Sequence, residues 1–236
     1  MVYLLPILAV VLGFIFVYFL KPSNQKLIKI LLSFSGGFLL ATTIFHLIPE
    51  VFTETDHHLH GNHEHGHFHN KEIGIFILVG ILFQIFLEYF SKGAEHGHVH
   101  SHTKSSKFPW LLFISLFLHA FLEGFPVHKT HGMLIGILVH KVPVAIILGT
   151  FLINSKIKKV NVYIFMLLFA CATPLGTLIA DEFQMITKYY KQVSAVVIGI
   201  FLHISTTILF ESSEGHKYNI TKLAAIIIAI SIAYFV

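Results

Sequence analysis

Residues 110–127 read WLLFISLFLHAFLEGFPV, and residues 133–153 read MLIGILVHKVPVAIILGTFLI. Each run is long enough to cross a bilayer core of roughly 30 Å, which takes about 20 residues of helix. Each also carries ionisable side chains in its interior: His119 and Glu123 in the first, His140 and Lys141 in the second. At membrane depth a charged side chain costs at least ~2.5 kcal/mol and marks function by default. The two runs therefore define both the class of fold and the place to look for chemistry.

Working outward, further apolar runs fall at Tyr3–Leu20, Leu27–Val51, Ile73–Phe90, Val162–Ala180, Val193–Phe210 and Tyr218–Val236, which makes eight. The chain is 55% hydrophobic and only 12% charged, with a mean hydropathy of +0.78. That is about half the charge of a soluble domain, too little to coat a water-soluble globule. The expectation is an all-α integral membrane protein with eight transmembrane helices, forming one domain over residues 1–236. Two long connections stand out: a His-rich loop at 54–72 and a His-containing loop at 91–108. The first run has no basic leader and no small-residue cleavage site, so it is expected to remain as the first span.

All sixteen basic residues are lysines. Eleven lie after spans 1, 3, 5 and 7: Lys21, Lys26, Lys29, Lys92, Lys104, Lys107, Lys156, Lys158, Lys159, Lys217 and Lys222. The alternate connections hold Lys71, Lys129, Lys188 and Lys191. The positive-inside rule then places both termini outside the cytoplasm, loop 54–72 outside and loop 91–108 inside. A pI near 9.1 thus reflects membrane orientation, and no nucleic-acid partner is expected. Cys171 is the only cysteine, which excludes an intrachain disulfide and a thiolate metal cage. The partner is the lipid bilayer, with a cell membrane (the cytoplasmic membrane in a bacterium) as the expected location.

The eighteen histidines divide by place. His57, His58, His60, His63, His65, His67 and His69 crowd the external loop, beside Asp56 and Glu64. His96, His98, His100 and His102 alternate along the inner one. Such tracts capture borderline metal ions weakly and exchangeably; the bland alternative is a solvated spacer. His63-Glu64-His65-Gly66-His67 also fits the H-E-x-x-H pattern of zinc proteases. That pattern needs a helix to bring its imidazoles to one face, so in a loop the match reads as accidental.

His46, His119, His140 and His203 lie inside apolar runs instead. His119 and Glu123, four apart, share a helix face. Counted from Trp110, Glu123 lies roughly 20 Å up its span, and His140 roughly 10 Å down the next. In a ~30 Å core those depths coincide. Two imidazoles and one carboxylate with an open position describe an accessible metal site. Gly124, Pro126 and Pro143 flank it and can loosen the helices there. The N and O donors favour zinc, with iron, manganese, cobalt, nickel or cadmium as alternatives.

These residues resemble the ZIP (Zrt-, Irt-like protein) family of divalent metal transporters. Span 2 carries His46-Leu47-Ile48-Pro49-Glu50, similar to the family's H-L-[LI]-P-[ED]; span 4 carries His119-Ala120-Phe121-Leu122-Glu123-Gly124, against H-N-x-x-[DE]-G. Span 5 carries His140-Lys141-Val142-Pro143-Val144-Ala145, against H-E-x-P-H-E. Thr173-Pro174-Leu175-Gly176 and Gly199-Ile200-Phe201-Leu202-His203 complete the order on spans 6 and 7. The resemblance implies alternating access, with a bundle containing spans 4 and 5 shifting against the rest, and a possible homodimer.

The departures matter as much. Where family members with two metal ions hold the second, this chain has Ala120, Lys141 and Thr173, and Val144 replaces a ligand to the first. Lysine is a compact fixed cation, so Lys141 is expected to replace the charge of the second ion. His46 and Glu50, four apart, are either an ion path from the external tract or an ordinary interfacial pair. His203 is either a fourth ligand or a bond to a neighbouring helix. The expected function is inward carriage of a divalent ion, zinc foremost, through one site of His119, Glu123 and His140. The rivals are a non-transporting membrane metal sensor and, more remotely, an intramembrane metallohydrolase. No G-x-x-x-x-G-K-[ST] loop occurs, so coupling to ATP hydrolysis is not expected.

Overall fold

The computed structural model describes residues 1–20, 25–53, 65–91, 108–128, 131–211 and 220–236. Its helices are α1 (Leu4–Leu20), α2 (Gln25–Thr42), α3 (Ile48–Thr53), α4 (His65–Ser91) and α5 (Trp110–Leu122). They continue as α6 (His131–Asn154), α7 (Lys159–Glu182), α8 (Gln184–Lys188), α9 (Tyr190–Glu211) and α10 (Ile220–Tyr234). A π-helical turn at Thr43–Leu47 joins α2 to α3, and a 3-10 turn at Phe125–His128 follows α5. No strand occurs among the described residues.

Six stretches are long and apolar enough to cross a membrane: Lys26–Phe52, Lys71–Ser91, Trp110–Val127, Gly132–Asn154, Lys159–Glu182 and Tyr190–Phe210. The shorter apolar helices Leu4–Phe19 and Ile220–Tyr234 bring the number to the expected eight. Large apolar side chains are turned outward along whole faces, as at Leu8, Leu12 and Ile15 on α1 or Leu78, Leu82 and Phe86 on α4. Each Å² of such surface costs about 25 cal/mol in water. Against lipid tails it costs nothing comparable, because the tails are as apolar as the side chains.

Two groups of helices organise the interior. α1, α5, α6 and α7 share a core that includes Val10, Leu116, Leu148, Phe165 and Phe169. α2, α4 and α9 pack around Leu39, Ile73, Val197, Phe201 and Ile204, and α10 lies on α2 through Phe38, Ala229 and Ala233. Helices α2 and α6 meet at the seam between the groups. Within each group glycine permits backbone contact. A Cβ on Gly199 of α9 would fall 2.0 Å from the Ile77 carbonyl oxygen of α4. One on Gly176 of α7 would fall 1.9 Å from that of Phe121 on α5.

Two local features differ from the expectation. Helix α4 starts at His65, so residues 65–72 of the supposed loop are helical. Only Gly66 is a poor helix former between His65 and the apolar run, and extending an existing helix costs little per residue. The second span also changes pitch at the π-turn that contains His46.

Candidate metal centre

Helix α5 ends where its backbone ladder breaks. The Gly124 N–H donates to the Phe121 carbonyl at 3.1 Å, a tightened bond that bypasses Ala120. Pro126, two residues on, has no N–H to continue the ladder. Helix α7 repairs the break: Thr173 Oγ1 donates to the Ala120 carbonyl at 2.7 Å, and Thr177 Oγ1 to that of Gly124 at 2.8 Å. Ala120 and Thr173, two positions where the resemblance implied a lost second-ion ligand, are thus joined side chain to backbone. Helix α6 carries Pro143 in its interior, two and three residues beyond Lys141 and His140. Backbone hydrogen bonding is lost at that point too.

Just before these breaks, four ionisable side chains are enclosed together. His119 is 2% exposed, and Glu123, His140 and Lys141 are each 1% exposed. The His119 and His140 rings have centroids 6.2 Å apart and stand nearly perpendicular, at 83°. His119 Nε2 lies 3.9 Å from Glu123 Oε1. Lys141 Nζ donates to that same oxygen at 2.7 Å and sits 4.9 Å from the centre of the Phe169 ring. Glu123 Oε2 is buried with no hydrogen-bond partner among the described residues. Across the seam, Ser35 Oγ of α2 lies 3.3 Å from His140 Nδ1.

The electrostatics of this group follow from burial. A lone carboxylate or ammonium costs several kcal/mol in such a place, whereas a bonded pair compensates both. The face of Phe169 adds a favourable quadrupole for the lysine cation. As it stands the group is not a closed cage. Among the described residues no set of three or more His, Cys, Asp or Glu side chains is disposed to hold a metal ion. Two imidazoles on one tetrahedral zinc, at Zn–N about 2.0–2.1 Å, have ring centres roughly 5 Å apart. The observed 6.2 Å is wider, and Glu123 is turned toward Lys141.

The other expected positions are distributed differently. His203 Nε2 lies 2.6 Å from Glu88 Oε2, a pair linking α9 to α4, and does not join the group above. His46 and Glu50, expected on one face, meet different neighbours. The His46 ring packs against Gly132 of α6, while Glu50 accepts a bond from the Tyr190 hydroxyl at 2.9 Å. The π-turn that contains His46 contributes, since its i→i+5 bonding puts more residues in each turn and so alters the facing of successive residues. Val144 and Ala145 lie in the apolar core of the first helix group. His57, His58, His60 and His63, with Glu64, lie outside the described residues, as does the inner tract; His65, His67 and His69 fall on α4.

Sequence reasoning missed Ser35, Thr42 and Phe169. A signal for the first two exists, because Ser35, Thr42 and His46 recur on one face of span 2 as a polar stripe. Each meets α6: Ser35 at His140, Thr42 at Gly136 and His46 at Gly132.

A family model described as ZIP Zinc transporter matches residues 1–109 and 95–235. Zinc transporter SLC39A7 of Mus musculus is 36% identical over 87 residues, 35% of this chain and 18% of that protein. Its Homo sapiens counterpart is 34% identical over 83 residues, 33% of this chain and 18% of that protein. The matched segments therefore span less than a fifth of those relatives. Zinc transporter ZIP1 of Bos taurus is 26% identical over 226 residues, 78% of this chain and 70% of that protein.

Proposed function

Because this chain belongs to the ZIP zinc transporter family, we propose that it carries a divalent metal ion, zinc foremost, across a membrane through one site built from His119, Glu123 and His140. The observation that carries this reading is the burial of four ionisable side chains on α5, its C-cap and α6 beside the seam with α2. Nothing in packing alone repays such a group at membrane depth.

Lys141 takes the electrostatic place of a second ion. With Glu123 Oε1 held by the lysine, Oε2 is the oxygen offered to the metal, and the carboxylate bridges two cations. The dication joins a site whose own Glu123 and Lys141 charges cancel. Binding is therefore weak, which suits release after transport. Zinc is the best fit to two imidazoles and one carboxylate.

Access alternates as α1, α5, α6 and α7 move together against α2, α4, α9 and α10. In this arrangement the α2–α6 seam is closed by His46 on Gly132 and Thr42 on Gly136. Parting it opens a polar path past His46 to the site. The lysine distribution supports both termini outside the cytoplasm, which makes that side external and transport inward.

A second reading is a non-transporting metal sensor. Two observations favour it: Glu123 is already engaged by Lys141, and among the described residues no cage stands ready. Radiolabelled zinc uptake into proteoliposomes separates the two. Transport predicts zinc-dependent uptake by wild type that His119→Ala abolishes; equal background in both supports the sensor.

A further inference from the structure

Metal binding through Nε2 of a neutral imidazole requires the proton on Nδ1, and that N–H must find an acceptor. For His140 the group in place is Ser35 Oγ, 3.3 Å from Nδ1, with Ser35 fully enclosed. We propose that Ser35 is the positioning residue for His140. It accepts the Nδ1 proton, selects the metal-binding tautomer and turns Nε2 toward His119 and Glu123. The proposal rests on the metal-site reading above and specifies how that site is regulated.

What gives the contact more than local meaning is its place. Ser35 stands on α2, in the opposite helix group from the rest of the site, and is the innermost of three seam contacts with Thr42–Gly136 and His46–Gly132. When the groups separate or slide, His140 loses its orienting acceptor and the site loses affinity for its ion. Closure of the seam and orientation of His140 for the metal are thereby one event.

The test is zinc uptake into proteoliposomes over a range of zinc concentrations, for wild type, Ser35→Ala, Ser35→Thr and His140→Ala. Loss of an outer-shell partner of a metal-bound histidine costs 10–100-fold. The expected result is a KM raised about tenfold in Ser35→Ala with the maximal rate largely kept, near-wild-type KM in Ser35→Thr, and no uptake in His140→Ala. A wild-type KM in Ser35→Ala, or equal damage from Ser35→Thr, overturns the positioning role while leaving the site intact. Normal uptake by His140→Ala overturns the site itself. If Ser35→Ala yields no folded protein, Ser35→Cys, isosteric but a far weaker hydrogen-bonding group, replaces it with the same two outcomes.

Discussion

Lys141 Nζ and Glu123 Oε1 are 2.7 Å apart, each side chain almost wholly enclosed, on two neighbouring spans at the break of α5. A cation fixed to the chain thus stands against the one carboxylate among the proposed ligands. Removing one member of such a pair leaves the other charged and buried, at a cost of about 3–5 kcal/mol.

Lys141→Met is accordingly expected to lower the unfolding temperature sharply, and Glu123→Gln/Lys141→Met to recover much of the loss. Thermal melts in detergent measure both. In uptake assays, Lys141→Ala is expected to lose most zinc uptake, because Glu123 then lacks its compensating charge. Normal uptake by Lys141→Ala at every pH rules out the lysine as a substitute for an ion.

The seam can be locked. A Cβ built on Gly136 lies 3.3 Å from Thr42 Cβ, close to the Cβ separation of about 3.5–4.5 Å in disulfides. In a Cys171→Ala background, Thr42→Cys/Gly136→Cys is expected to cross-link under oxidation and stop zinc uptake, with recovery on reduction. Uptake that continues at full rate in the cross-linked protein shows that α2 and α6 do not part during transport.

Gly176→Ala tests the repair of α5 by α7. The added methyl would stand 1.9 Å from the Phe121 carbonyl oxygen, so the helices must separate and the Thr173 and Thr177 bonds must stretch. Overpacking of this kind costs at least about 1–3 kcal/mol. Loss of stability together with lost uptake is the expected outcome in melts and flux assays.

His203→Gln addresses the pair with Glu88. A bond between α9 and α4, apart from the proposed ligands, predicts a zinc KM within about twofold of wild type, well below the 10–100-fold cost of disturbing a metal's immediate surroundings. A tenfold rise would return His203 to the metal path.

The eight spans were legible because membrane crossing is a matter of length and apolarity, both local properties. The cluster was legible for a similar reason: helical spacing aligns His119 with Glu123, and counting residues from the surface brings His140 to the same depth. Phe169 over Lys141 and Ser35 beside His140 were not. Those contacts join residues 28 and 105 apart in sequence, and only the packing of α7 and α2 against α6 brings them together. The π-turn at His46 was hidden too, since its residues read as ordinary helix.

The central claim is a single metal ion held by His119, Glu123 and His140, with Lys141 in place of a second. An anomalous-difference map from zinc-soaked crystals tests it most directly. The account predicts one zinc peak among those three side chains, about 2.0–2.1 Å from the imidazole nitrogens, and no ion beside Lys141. Two neighbouring peaks there, or bound zinc confined to the histidine tracts, would contradict it.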